Sequence, residues 1–258
     1  MQRFGAFGIH LAISLVIFGV LAYLIVAVWY PGFLFSADGG WQGIRIIILV
    51  DLVLGPLLTL IVYKPGKPGL ATDLTFIGCF QAACLFAGTY IVYSERPIAV
   101  VYSDGYFTSM TEDAYRDYGQ PVPDLSYLPG TTPKWVSVAL PDDLHEQSEI
   151  RLGAWRDGTP LRAKADFYVP FSTAKIDLEA DAYPITEVQA RDANLNLLDG
   201  WIEQHGGDVS DHAFFPLGTR YKYQFLAIDK PTREILGVLD IPAPTKRDDV
   251  ATSASAQS

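Results

Sequence analysis

Hydrophobic positions crowd into the first third of this chain. Leu11–Trp29 runs 19 residues without a charge, Ile46–Tyr63 runs 18 residues with only Asp51, and Leu74–Tyr93 runs 20 without a charge. A bilayer core of ~30 Å takes about 20 apolar residues of helix, so each run is long enough to cross one. They predict a membrane unit over residues 1–95 with spans at about 9–30, 44–63 and 73–93. Trp29, Tyr30, Trp41, Tyr63, Tyr90 and Tyr93 fall near the ends of the runs, where interfacial aromatics gather.

After Tyr93 the apolar pattern changes to short alternating runs. Ile98–Tyr102 and Tyr106–Met110 flank Asp104-Gly105, a hairpin signal. Thr111 is placed to cap a short helix ending near Gly119, and Pro121–Pro133 reads as a connection. Trp135–Leu140 alternates like a strand, and Asp142 is the expected cap of a helix running to about Trp155. Phe167–Phe171 and Ile176–Leu178 read as short strands. Glu187–His205 reads as one helix, with a capping box at Thr186–Gln189, a stripe of Val188, Leu195, Leu198, Trp201 and Ile202, and a stop at Gly206-Gly207. Tyr221–Ile228 and Glu234–Ile241 read as strands. Hairpins interleaved with helices predict an α+β soluble domain over 96–243, followed by a disordered tail over 244–258. The expected fold class is therefore a membrane protein, a three-helix α unit followed by an α+β domain.

Charge separates the two halves. Residues 1–93 hold four basic residues (Arg3, Arg45, Lys64, Lys67) and three acids (Asp38, Asp51, Asp73), a net of +1. The remaining 165 residues therefore hold 15 basic and 26 acidic residues, a net of −11. An acidic domain is repelled by nucleic-acid phosphates, which excludes nucleic acid as a partner. Arg3 precedes the first span and Lys64 and Lys67 join the second to the third, whereas the Pro31–Gln42 link has no basic residue. These three residues set the topology: by the positive-inside rule the amino terminus and the Lys64/Lys67 link face the cytoplasm. Three crossings then leave the acidic domain outside, in the periplasm of a Gram-negative cell.

Asp51 is the polar residue that demands an account. It lies about eight residues inside its span, ~12 Å at 1.5 Å per residue, and should face protein rather than lipid. Gln81 on the third span lies within ~6 Å of it in depth and is a candidate partner. Arg45, ~240° around the helix from Asp51, is not. Gly55-Pro56 follows on the same helix, where Pro56 is expected to introduce a kink. Asp51, Gly55, Pro56 and Gln81 thus form a candidate intramembrane site, with three readings: a bond that fixes the helix bundle, a contact for a partner's transmembrane helix, or a step on a proton path. Gly78, Ala82, Ala83, Ala87 and Gly88 give the third span small residues that admit a close helix, internal or external. His10 is expected to sit at the inner interface with its polar tip toward water.

Catalytic chemistry is not visible. His145, His205 and His212 have no zinc spacing, and there is no nucleophile elbow, P-loop or dinucleotide fingerprint. No cofactor and no metal are expected, and the reading is of a protein that is not an enzyme. Cys79 and Cys84, five residues apart on a helix, are poorly placed to bridge.

The chain resembles the TfpX/TfpZ type IV pilin accessory proteins. The residues that carry the resemblance are Phe7-Gly-Ile-His-Leu11, Trp29-Tyr-Pro31, Asp51-Leu-Val-Leu-Gly-Pro-Leu-Leu-Thr-Leu60, Lys64-Pro-Gly-Lys67, Arg96-Pro-Ile-Ala-Val-Val-Tyr102 and Lys134-Trp-Val-Ser-Val-Ala-Leu-Pro141. The resemblance implies an inner-membrane, chaperone-like factor for fimbrium biogenesis. Its partners would be the cognate major pilin, the lipid bilayer and other pilus assembly proteins. It supplies no catalytic residues. The alternative is an extracytoplasmic ligand-binding receptor or sensor subunit without an output domain of its own.

Overall fold

Contacts along the chain divide it after Arg96 into two units, Met1–Arg96 and Pro97–Ser258. The computed structural model describes residues 2–192 and 196–245. The larger part of the expected tail, and Leu195 of the expected helical stripe, lie outside the described residues.

In the first unit, α1 (Arg3–Tyr23) continues as a π-helix, Leu24–Trp29. The short α2 (Leu34–Ala37) leads to α3 (Gly40–Ile47), a π-helix (Ile48–Leu54) and α4 (Gly55–Val62) in one continuous helical run. After Lys64–Gly69 comes α5 (Leu70–Ser94). Three helices among the described residues, Arg3–Trp29, Gly40–Val62 and Leu70–Ser94, are long and apolar enough to cross a membrane. Each begins or ends a few residues beyond the apolar run that announced it.

The kink expected at Pro56 takes another form. In the π-helical pattern before it, each carbonyl is addressed to the fifth residue onward, and the Gly55 N–H bonds the Val50 carbonyl. By that spacing the N–H that Pro56 lacks would have served the Asp51 carbonyl rather than that of Leu52, and Gln81 Nε2 on the third long helix approaches the Asp51 carbonyl at 3.4 Å. One end of the bundle is apolar: Ile25, Tyr30, Ile44, Ile47 and Val92 pack together, and the Tyr30 hydroxyl donates to the Val92 carbonyl at 2.8 Å. At the other end the Arg3 Nε donates to the Tyr63 carbonyl at 2.9 Å. The start of α1 and the end of α4 therefore share one end, with Lys64 and Lys67 in the link that follows.

The second unit is built on a seven-stranded mixed sheet. β1 (Pro97–Ser103) and β2 (Tyr106–Thr111) form the expected hairpin. Asp104 (φ 54°) and Gly105 (φ 81°) both take positive φ, as a type I′ turn requires. Then follow α6 (Glu112–Asp117), β3 (Lys134–Val138), α7 (Leu144–Arg156), β4 (Tyr168–Pro170), α8 (Ile185–Asp192), α9 (Leu197–His205), β5 (His212–Gly218), β6 (Tyr223–Asp229) and β7 (Ile235–Leu239). The strand order is β4-β3-β1-β2-β5-β6-β7, with β1 parallel to β3 and β2 parallel to β5. By register, Val101, Met110, Val136, Phe214 and Ala227 point to one face, under α6, α8 and α9. Tyr102, Phe107 and Phe215 point to the other and join Phe171 in a cluster of ring contacts.

Five sequence readings are corrected. The strand β5 was not foreseen, because its run is continuously apolar and contains Pro216. Pro216 is tolerated because β2 pairs only with Leu217 and Gly218. Ile176–Leu178 is not a strand: the Arg233 guanidinium takes the Ala174 and Ile176 carbonyls instead. The cap of α7 is Asp143, which accepts from the Glu146 N–H at 2.8 Å, while Asp142 pairs with Lys175. The single helix over 187–205 is two. The Asp192 carboxylate accepts the Leu197 and Leu198 N–H groups, each at 2.9 Å, and so starts α9 itself. Thr186 lies inside α8, whose first turn bonds the Pro184 carbonyl, so its capping box does not form.

Candidate functional site

The polar end of the helical unit holds a hydrogen-bonded chain across all three long helices. Ser14 and His10 come from α1, Asp51 from the π-helix, Thr59 from α4 and Gln81 from α5. The Ser14 hydroxyl donates to Asp51 Oδ1 at 3.1 Å, and Gln81 Nε2 donates to the same oxygen in a short bond. Gln81 Oε1 meets His10 Nε2 at 2.9 Å, and His10 Nδ1 meets Thr59 Oγ1 at 2.6 Å. Oε1 can only accept, so His10 Nε2 carries a proton. In the neutral ring Nδ1 is then the acceptor and the Thr59 hydroxyl the donor. The whole series runs in one direction, Thr59 to His10 to Gln81 to Asp51.

All of these side chains but His10 are buried, and Asp51 is 1% exposed. Asp51 Oδ2 is buried without a hydrogen-bond partner among the described residues. Burying a carboxylate among apolar helices costs about 2.5–3.5 kcal/mol on insertion scales, which the bonds to Oδ1 offset. Their geometry joins three separate helices at one level.

Gly55 explains its own place in the sequence. A Cβ built there would lie 2.0 Å from Gln81 Oε1 and 2.4 Å from its Cδ, so only glycine lets the amide pass. Gly43 does the same toward the apolar end, where a Cβ would lie 2.6 Å from Val92 Cγ2. Pro56 is buried beside this passage.

The structure thus brings Asp51, Gly55 and Gln81 together. Arg3 lies at the Tyr63 end. Lys67 pairs with Asp73 at 2.6 Å, and Lys64 is exposed in the same link. Arg45 stacks over Trp41, 4.8 Å from the ring centre. Sequence reasoning missed Ser14 and Thr59 and misplaced His10, which reaches into the bundle rather than toward water. The signal was present: His10 and Ser14 are four apart, and Asp51, Gly55 and Thr59 fall at intervals of four, each set on one helix face. On α5, Gly78, Ala82, Ala83 and Ala87 stay exposed, and Gly88 faces Ile46.

In the sheet unit His205 and His212 lie against the same Trp201 ring, with ring centres 3.9 and 5.3 Å from it. His205 stacks on Trp201, its Nδ1 bonding the Trp201 carbonyl; His212 meets the Gly206 carbonyl; His145 is exposed on α7. A pocket of about 430 Å³ opens at the carboxyl ends of the parallel strands β1 and β3, lined by Tyr102, Ser137, Gln147 and the Asp104–Arg151 pair among others. Burial, with Asp181 and Asp104 nearby, pushes the Tyr102 phenol well above its ordinary value.

These features define a class: a bundle of three apolar, membrane-length helices joined by a buried polar chain and continued by a mixed-sheet domain. Residues 1–32 match the family of the fimbrial assembly protein FimB. Over 97 residues, 37% of this chain, the sequence is 36% identical to the Dichelobacter nodosus fimbrial assembly proteins of serogroup I, serogroup E1, and serogroups C1 and C2. That match covers 74% of the C1/C2 protein but only 38% of the serogroup I and E1 proteins. The chain belongs to the fimbrial assembly protein family. No solved structure matches it.

Proposed function

We propose that this protein is a non-enzymatic inner-membrane accessory factor of type IV pilus assembly, of the TfpX/TfpZ kind, that acts on its cognate major pilin. The observation that carries the reading is the identity shared with fimbrial assembly proteins, joined to a helical unit whose polar groups turn inward. With Asp51 and Gln81 spent on the bundle, the surface left for a pilin's transmembrane helix is apolar and small-residue. On α5 it includes Gly78, Ala82, Ala83 and Ala87, and on the second long helix Leu49, Val53, Leu57 and Ile61. Small residues let a foreign backbone approach closely, and packing drives helix association in lipid. The three-residue basic end, Arg3, Lys64 and Lys67, faces the cytoplasm by the positive-inside rule, and three crossings put the acidic sheet domain in the periplasm beside the pilin head.

The test is photo-crosslinking in native membranes from Leu57, Ala82 and Ala83. Capture of the major pilin, with loss of surface pili on deletion of the gene, supports the reading. No capture from any position, with normal piliation in the deletion strain, overturns it. A second reading, a ligand-binding extracytoplasmic receptor subunit, is favoured by the pocket beside Tyr102 and Ser137, since crevices at the carboxyl ends of parallel strands are common ligand sites. Normal piliation together with a small molecule retained by the purified full-length protein, and lost on Ser137→Trp, would favour it.

A further inference from the structure

The crevice in the sheet domain opens where two parallel strands part. β1 and β3 run side by side only as far as Tyr102 and Ser137, which are partners in register. Beyond them β1 turns at Asp104-Gly105 into β2. β3 runs on through residues 138–140, where the Ala139 N–H donates to the Phe167 carbonyl at 2.8 Å. The row extends one strand further, since Ser137 is also the partner of Val169 on β4. Residues paired in register point to one face, so Tyr102, Ser137 and Val169 form the floor of the pocket of about 430 Å³.

Two hydroxyls on that floor are unused by the fold. Tyr102 and Ser137 are 8% and 4% exposed, and neither hydroxyl has a hydrogen-bond partner among the described residues. Buried hydroxyls are nearly always bonded, so an orphan pair side by side on a pocket floor calls for a guest with groups to match. The Tyr102 ring is fixed by Phe107 and Phe215, with ring centres 5.0 and 5.6 Å away, and this holds its hydroxyl at the floor. Burial keeps the phenol protonated, and hence a donor, well above neutral pH. At the rim the Gln147 Nε2 donates to the Pro141 carbonyl at 2.8 Å, which leaves Oε1 to accept. Arg151 uses Nη1 on Asp104 at 2.6 Å, which leaves its other N–H groups to donate.

Charge narrows the guest. Both cations of the lining already have an acid: Arg151 has Asp104, and Lys175 has Asp142 at 3.3 Å. An anion would have to break one of these pairs, and would also meet Asp181 near the Tyr102 phenol. A cation would find both acids of the lining taken. The groups left over suit an uncharged molecule. The walls between them are apolar, with Leu161, Val169 and Ala174. Each floor hydroxyl can both donate and accept, as a sugar hydroxyl does, whereas an amide carbonyl meets only half of that capacity. Hydroxyls set around an apolar C–H body are the chemistry of a sugar ring.

We propose that this pocket binds a neutral sugar of about one or two rings, its hydroxyls bonded to Tyr102 and Ser137 at the floor and to Gln147 and Arg151 at the rim. The proposal rests on the ligand-binding reading above and names the ligand's class. It makes no use of the pilin contact.

The test is calorimetric titration of the full-length protein in nanodiscs, which avoids glycoside detergents, with maltose and N-acetylglucosamine as neutral probes. Glucose 6-phosphate, glucosamine and a capped alanine peptide serve as the anionic, cationic and amide controls. Binding of a neutral sugar, weakened roughly three- to tenfold by Tyr102→Phe and by Ser137→Ala, supports the site. Each change deletes only a hydroxyl that the fold does not bond, so both variants should melt like the wild type. Binding that neither change weakens overturns the assignment, as does tighter binding of either charged sugar. Capture of the capped peptide alone overturns the sugar but keeps a ligand pocket, and silence from every probe overturns both. Pilin capture from Leu57, Ala82 and Ala83 is read separately, so the sugar site and the pilus role fail independently.

Discussion

Gly55→Ala is the sharpest probe of the buried polar chain. The added methyl would lie 2.0 Å from Gln81 Oε1, so the amide must leave its position. Gln81 then gives up its bonds to His10 and to Asp51 together. Hydrogen bonds between membrane helices are worth about 0.6 kcal/mol on average and up to about 1.7, so losing two costs about 1–3 kcal/mol. Two further effects act whether or not Gln81 is present. Alanine gains up to about 1 kcal/mol over glycine in a helix. Against that, a Cβ ahead of Pro56 in helical backbone (φ −61°, ψ −56°) is crowded by the proline ring. A double-mutant cycle cancels both. Unfolding of Gly55→Ala, Gln81→Ala and the double variant in detergent micelles, followed by helical signal, should give a coupling of about 1–3 kcal/mol, with Gly55→Ala far milder once Gln81 is gone. An equal cost of Gly55→Ala in both backgrounds would refute the claim that Gly55 exists to admit the amide.

Asp51→Leu should impair piliation and bundle stability more than Asp51→Asn, because the amide oxygen still accepts from Ser14 and Gln81; a surface-pilus count in which wild type and both variants agree removes Asp51 from the function. Burial chiefly pushes the Tyr115 phenol, 2.8 Å from the Tyr168 hydroxyl, up to about 12. A phenol raised on folding stabilises fully below its ordinary value near 10, and that contribution is lost as pH rises to about 12. Alkaline titration of the sheet domain's aromatic circular dichroism should show this loss, and Tyr115→Phe should make it shallower. Asp192→Ala strips α9 of two capping bonds and should cost about 2 kcal/mol, while Asp192→Asn costs less; equal melting of both variants would show that the carboxylate does not start the helix.

Much of this protein was legible in its residues because the controlling interactions are local. The apolar runs predicted three long helices because each is about as long as a helix that crosses a bilayer, and the described residues hold three helices of that length and composition. Asp104-Gly105 dictated a hairpin through positive φ, and Thr111 capped α6 by accepting from the Ala114 N–H at 3.1 Å. Gln81 could be matched to Asp51 because depth along two helices is simple arithmetic, and the two side chains do bond.

What only the tertiary structure decided depends on residues far apart in the chain. β5 is a strand because β6 and β2 flank it, despite Pro216. Asp192 breaks a periodic helix because its buried carboxylate finds two amide donors beyond the break. His10 belongs to the polar chain because Thr59 and Gln81, 49 and 71 residues away, converge on its two ring nitrogens. Periodicity says which face of a helix is wet or dry. Which polar groups meet is set by the rotation and level at which the helices pack, and that is a property of the assembled bundle.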